Sequence, residues 1–379
     1  MEQQRFSFLP ASRWLMVLIL VLAGFAGLAR AQATSPAQAP PTTVPASAPA
    51  ANAEVGSGPR AVGDLVSKPS TTVEDWTTPA LKGSKLEPSE ALVGEIDEGH
   101  AAFTRELTRV EWRDGDPIDL YIIKPKGIKQ PPVILYLYSY PFETARFGND
   151  AFCDFLTKDG FAAVGFASAL TGSRYRSGRP MRQWFVSELQ ESLATSAHDV
   201  QMILNYLATR GDLDMNRTGM FGDGSGASIA ILAAAVDSRI KTLDLLNPWG
   251  DWPEWLAKST LIPEKERADF LRPEFLAAVA PLDPVKWLPG LQTAKVRIRE
   301  VMDVTVTPAA ARQKVAAAAP PSAQVVRYPH TQDFLSAVSG GTGFDWIKQQ
   351  LQPSITLDDR ATNDSKSNQA APKDKPSER

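Results

Sequence analysis

The sequence predicts an α/β protein: a doubly wound, mostly parallel sheet with helices on both faces and a small helical cap inserted late in the chain. Three observations predict it. Short runs such as "PPVILYLYSYP" (131–141) and "FAAVGFASAL" (161–170) are almost continuously apolar, the character of strands buried on both sides. These runs alternate with helical stretches, which implies βαβ crossovers and parallel neighbours. The alternation breaks once, over 249–293, where the cap is expected.

The N-terminal 31 residues are read apart from the fold. Arg5 and Arg13 precede an apolar run from Leu15 to Ala29, and Ala29-Arg30-Ala31 follows, the pattern of a secretory signal peptide with an A-x-A cleavage site. A membrane-spanning helix needs about 20 apolar residues, more than this run supplies. The chain is therefore expected to be exported, periplasmic or secreted, with no membrane span once mature. Residues 32–67 open with Ala, Pro, Ser and Thr and almost no large apolar side chain, so they are read as a disordered linker. Residues 353–379 are read as a polar disordered tail. The domain between them, 68–352, holds about 285 residues, enough for one large α/β unit.

Within it, "FTRELTRVEWR" (103–113) and "PIDLYIIKPK" (117–126) flank Asp114-Gly115-Asp116, a hairpin signal. The strand at 131–141 follows. A helix over 149–160 has an Asn or Asp cap and a terminal glycine, and the strand at 161–170 comes next. The pattern continues with a helix near 192–211, a strand at 217–221 and a helix opening at Gly226. Strands follow at 240–248 and 295–303, a helix at 308–318, a strand at 323–329 and a closing helix at 344–351. Inside the cap, Trp249, Trp252 and Trp255 fall three apart and would share one helix face. Packing between cap and sheet, or an aromatic ligand surface, would each use them.

Charge and composition exclude several classes. A formal charge of -3 leaves no basic patch for a phosphate backbone, so no nucleic-acid partner is expected. Cys153 is the only cysteine and is expected to be a small buried apolar residue. With His100, His198 and His330 as the only histidines, no metal-ligand spacing exists, and neither a metal nor another cofactor is expected.

The chemistry concentrates in "GMFGDGSGASIAILAAA" (219–235), a strand that turns abruptly into a helix. Gly222, Gly224 and Ala227 satisfy the dinucleotide pattern G-x-G-x-x-A, with Asp244 at the distance of a ribose contact, which makes a dinucleotide-binding protein a minor reading. The motif comes late in the sheet order for that use. The other use of such a turn is the nucleophile elbow, G-x-S-x-G.

From about Leu107 to Trp346 the chain resembles the α/β-hydrolase superfamily, and within it the prolyl oligopeptidase or dipeptidyl peptidase type of catalytic domain. The resemblance is carried by "VEWRDGDPIDLYIIKP", "PPVILYLYSYP", "RTGMFGDGSGASIAILAAA", "DPVKWLPGL" and "MDVTVTP" before "YPHTQDFL". It implies the fold and a Ser-Asp-His triad. Three positions depart from that. Gly222 and Gly226 take the flanking positions, so Gly224 stands where the nucleophile belongs. Asp333 stands at the histidine position, and Tyr138-Ser139 replaces the His-Gly of the oxyanion segment. Asp303 alone fits its role, the triad acid, and would also fit a strand-end turn.

Two functions follow. One is an exported, catalytically impaired pseudo-hydrolase that retains a pocket for a small-molecule, ester or peptide ligand. The alternative is an active serine hydrolase in which neighbours take the roles: Ser225 as nucleophile, His330 as base and Asp303 as acid. Ser225 would serve equally as a helix-start serine, and His330 as a solvent-facing loop residue. The arginine-rich loop at 172–184, with Arg174, Arg176, Arg179 and Arg182, is read as a solvated loop or an anion site.

Overall fold

A computed structural model describes residues 73–88, 90–140, 143–170, 174, 185–291 and 294–352. Nine strands form one sheet: β1 (Leu92–Asp97), β2 (Phe103–Val110), β3 (Ile118–Pro125), β4 (Pro132–Leu137), β5 (Ala162–Phe166), β6 (Asp214–Asp223), β7 (Ile240–Leu246), β8 (Lys295–Val301) and β9 (Gln324–Tyr328). Their spatial order is β1-β2-β3-β5-β4-β6-β7-β8-β9. The pairs β1/β2, β2/β3 and β3/β5 are antiparallel, and every pair from β5/β4 to β8/β9 is parallel.

Among the described residues ten α-helices accompany the sheet: α1 (Asp150–Thr157), α2 (Leu189–Arg210), α3 (Ser225–Val236), α4 (Trp252–Lys258), α5 (Arg267–Phe270), α6 (Pro273–Val279), α7 (Pro284–Trp287), α8 (Ala309–Ala318), α9 (Thr331–Val338) and α10 (Asp345–Leu351). The two-sided covering explains why the central strands read as unbroken apolar runs. Along β4, Val133, Leu135 and Leu137 enter one core, while Ile134 and Tyr136 enter the other. The first core lies under α2, α3 and the cap; the second lies under α1, α9 and α10. A helix on only one side would have left every second position polar.

The expected hairpin forms, with β2 and β3 paired from Phe103↔Pro125 to Val110↔Ile118 and Gly115 in a left-handed conformation, φ +72°. Asn149 caps α1 by accepting the Phe152 N–H at 2.9 Å. Two elements were not legible. β1 is an edge strand whose residues are almost all exposed, so it lacks the apolar alternation that announces a strand. α9 is short and amphipathic and begins directly after β9, where the sequence reads as a loop.

The cap departs from expectation at its start. Helix α4 begins at Trp252, so Trp249 precedes the helix and does not lie on its face. The three indoles meet nonetheless. Trp249 stacks on Trp255 with centroids 4.8 Å apart, Trp252 meets Trp255 edge-on at 5.7 Å, and all three are buried. Asp283, between the cap helices, accepts the N–H groups of Asp251 and Trp252 at 2.9 Å each and ties the cap's two ends together.

A buried ionic cluster fastens the N-terminal segment to α2. Arg113 forks onto Glu74 at 2.6 Å and pairs with Asp199, which also accepts the Trp112 indole N–H at 2.8 Å. His198 sets Nδ1 2.6 Å from Glu74 Oε1 and Nε2 3.0 Å from the Thr78 carbonyl. Arg174 belongs to this cluster and not to solvent: it is buried and pairs with Asp116 and Asp199. The anion-site reading therefore does not apply to Arg174, whose fork is already filled by carboxylates. Arg176, Arg179 and Arg182 lie outside the described residues. Among the described residues, no helix is long and apolar enough to cross a membrane.

Candidate functional site at the strand-to-helix elbow

β6 ends at Asp223, Gly224 turns the chain, and α3 starts at Ser225. Gly224 has φ +54° and ψ -113°, a conformation that side chains resist. The flanking glycines are forced by packing. A Cβ on Gly222 would stand 2.5 Å from the Ala227 Cα, and one on Gly226 would stand 1.9 Å from the Leu137 carbonyl oxygen. The register is thereby fixed: Gly222 and Gly226 occupy the close-approach positions, and Gly224 occupies the tip.

The space above the tip is taken by other residues. A Cβ on Gly224 would lie 2.4 Å from Ser139 Oγ, 3.0 Å from Ser139 Cβ and 3.1 Å from the Trp249 indole nitrogen. Ser139 comes from the loop after β4 and Trp249 from the loop after β7, so both neighbouring strands deliver a side chain over the glycine.

Ser225 is fully buried, and its hydroxyl accepts the Tyr140 backbone N–H at 3.0 Å. Tyr140 belongs to the loop after β4, beside the strand that carries the elbow, and Ser225 Oγ engages its N–H from inside the fold.

The remaining expected site residues lie at the ends of β8 and β9. His330 is exposed, with 73% of its side chain accessible, and its Nδ1 stands 3.9 Å from Asp303 Oδ2. Asp303 accepts the Thr331 N–H at 2.8 Å and the Thr331 hydroxyl at 2.7 Å. Partial burial works against its charged form, but these bonds prevail and hold its carboxyl below the ordinary value. Asp333 sits in the first turn of α9 and accepts the His330 N–H at 3.0 Å. Its identity is that of an N-terminal capping carboxylate, the physical reason a carboxylate stands there. The structure thus brings Asp303 and His330 near one another. Among the described residues, Ser225 is hydrogen-bonded to neither.

Asp244 is corrected as a ribose ligand. It is fully buried within β7 and accepts from Arg297 Nη2 at 2.7 Å and Arg299 Nη2 at 2.9 Å, so its carboxylate is consumed by the β8 arginines. A ribose contact needs a carboxylate at a strand end facing the cleft.

Two carboxyl groups near the elbow went unnoticed in the sequence. Asp223, the last residue of β6, is pushed up to about 6 by burial, against the pull of Arg146 and Arg299. Arg146 also lies over the Tyr138 ring, 4.1 Å from its centroid. Glu143 is buried and pushed up to about 7 by desolvation, despite hydrogen bonds from the N–H and hydroxyl of Ser168. It ties the loop after β4 to the loop after β5. Asp223 stands inside the elbow motif, between Gly222 and Gly224, whereas nothing in the sequence marks Glu143, because its burial is set by two loops distant along the chain.

The Glu143 shift has a signed consequence. Its folded-state value is raised, so its contribution is fully present below the unfolded value near 4.5 and is lost as pH rises through about 7. Glu143→Gln keeps the volume and can still face both Ser168 groups. The variant is expected to gain in urea midpoint over the wild type between pH 5 and pH 8. A midpoint difference that stays constant across that range contradicts this.

The strand order, with an antiparallel start, a parallel body and the elbow after the central β6, defines the α/β-hydrolase fold. No family model matches the sequence, and no curated protein matches it closely. Solved structures do. The chain is similar to acetyl xylan esterase 1 from a Thermoanaerobacterium species, with a TM-score of 0.54, 14% identity and coverage of 72% of this chain and 90% of that one. A Paenibacillus acetyl xylan esterase has a TM-score of 0.49 at 17% identity, covering 67% of this chain and 89% of that one. The acylaminoacyl peptidase of Pyrococcus horikoshii has a TM-score of 0.48 at 14% identity, covering 66% of this chain and 40% of that one.

Proposed function

We propose that this chain is an exported pseudo-hydrolase: an α/β-hydrolase scaffold of the prolyl oligopeptidase type that binds a small ester-like or peptide-like ligand without cleaving it. The observation that carries the reading is the occupancy of the elbow tip. Gly224 supplies no hydroxyl, and Ser139 and Trp249 fill the volume a nucleophile's side chain would need. Acyl transfer on this scaffold needs an attacking oxygen at the tip, a neutral base within reach of it and free N–H donors for the oxyanion. Two further features support the reading: the Tyr140 N–H is engaged by Ser225 Oγ, and Asp333 holds the histidine position. The similar fold of a solved acetyl xylan esterase supports the ester-like part of that ligand class. Export rests on the leader-like pattern of residues 1–31, which lie outside the described residues.

The test is reaction of the purified chain with a fluorophosphonate, followed by mass spectrometry to locate any adduct. No serine is expected to be labelled. An adduct on Ser225, abolished in His330→Ala, would establish the serine hydrolase that uses Ser225, Asp303 and His330 and overturn the pseudo-hydrolase.

A further inference from the structure

The exposed apolar side chains gather on β1. Leu92, Val93 and Ile96 are 64%, 54% and 54% exposed, half of the large apolar side chains that stand out in this way among the described residues. Such residues scattered singly need no explanation, but three on one six-residue strand do. β1 is also a free edge: it pairs with β2 on one side and with nothing among the described residues on the other. A free edge presents unpaired N–H and C=O groups to any strand that can reach it, and Lys or Pro commonly guard it. Neither occurs between Leu92 and Asp97.

The two faces of β1 follow from its partner. On β2, Val110 enters the first core and Phe103 the second, so Thr108 and Glu106 lie on the first-core side and Arg109, Leu107 and Arg105 on the other. Residues opposite one another in a ladder share a face. Val93 and Ile96, opposite Thr108 and Glu106, therefore project on the first-core side, and Leu92, Glu95 and Asp97 on the second-core side. Gly94 is the extra residue of a bulge and has no partner on β2, which sets Val93 and Glu95 on opposite faces.

From this arrangement we infer that β1 pairs with β1 of a second copy of the chain, antiparallel about a two-fold axis between Gly94 and Glu95, so that one sheet runs through a closed dimer. The register selects the partner. With Leu92 opposite the partner's Asp97, Val93 meets the partner's Ile96 and Gly94 meets the partner's Glu95, and the same contacts recur reciprocally. Both strands carry their extra residue at the axis, so the pairs on either side of it keep matching faces. A shift by one residue sets the face of Val93 against the opposite face of the partner strand. In the matched register four apolar side chains cluster beside the axis. Asp97, opposite the apolar Leu92, already pairs with Arg105 of its own chain at 2.9 Å. Glu95 works against the pairing, because it comes beside its own symmetry mate. A strand of six residues makes a small interface, so the dimer is weak, with a dissociation constant on the order of 0.1 mM.

The experiment is sedimentation equilibrium of the full chain from about 5 μM to about 500 μM, which brackets that constant. A monomer–dimer equilibrium is expected. Ile96→Asp, at an exposed position and with an unchanged thermal midpoint, is expected to weaken association at least tenfold, because it sets a charge among the clustered apolar side chains. Glu95→Gln is expected to tighten it by roughly two- to fivefold, because it removes like charges beside the axis. Hydrogen exchange of the β1 amides is expected to slow as concentration rises. A chain that stays monomeric throughout, or a dimer that Ile96→Asp leaves intact, overturns the inference. Association that Glu95→Gln weakens overturns the symmetric register. Equal protection of the β1 amides at both ends of the concentration range overturns the inference too and assigns the edge to a segment of the same chain.

Discussion

Gly226→Ala is expected to destabilise the fold by roughly 3 kcal/mol or more, because the added methyl group has nowhere to go. Its carbon would stand 1.9 Å from the Leu137 carbonyl oxygen, and both partners are backbone held by central elements. Relief requires α3 to lift from β4, which opens the core that Ala227, Ala230 and Ile231 fill. Gly211→Ala is the control. Gly211 ends α2 with φ +71° and open space around it, so only the conformational penalty of about 1–2 kcal/mol applies. Urea unfolding of the two variants separates steric from conformational cost. Equal midpoints would mean that α3 and β4 are not in the contact described.

Asp199→Asn is the second large effect, expected at about 3–5 kcal/mol. Asp199 is fully buried on α2 and is the shared counter-charge of Arg113 and Arg174, both themselves almost inaccessible. The substitution preserves shape but leaves two guanidinium groups in the interior with one fewer anion. Burial works against the charged form of Asp199, yet the two arginines prevail and hold its carboxyl well below the ordinary range. The sign follows from that depression: the stabilisation is present above the unfolded value near 3.9 and is lost as pH falls toward the folded value. The wild type and Asp199→Asn should therefore differ by a constant amount between pH 5 and pH 8, and the difference should shrink progressively as pH falls below about 4. A difference that stays the same down to pH 2.5 would contradict a depressed Asp199 carboxyl.

Much of the sheet was legible because its signal is local. A strand covered on both faces is apolar almost throughout, so β4 and β5 announce themselves in six and five residues. The elbow was legible for a similar reason: Gly222 and Gly226 are demanded by contacts within a dozen residues or across one strand pair. What escaped depends on distant partners. β1 carries no inward face of its own and is defined only by its pairing with β2. Arg174 looks like any loop arginine until Asp116 and Asp199 arrive from elsewhere in the chain. Trp249 was placed on a helix face by its three-residue spacing, but Gly250 and the left-handed Asp251, φ +54°, delay the helix to Trp252. Ser139 was noticed as a departure from a bare oxyanion segment. Its position over Gly224 depends on β4 and β6 lying side by side, which sequence spacing does not encode.

The crowding over Gly224 also constrains descent. A lineage acquiring a hydroxyl-bearing residue at this tip would meet the Ser139 hydroxyl at 2.4 Å before any gain in chemistry could be selected. The Ser139 hydroxyl would have to turn aside, its Cβ at 3.0 Å and the Trp249 indole nitrogen at 3.1 Å would stay in tight contact, and the Tyr140 N–H would still be held by Ser225. Regaining a nucleophile here therefore asks for adjustment at more than one position.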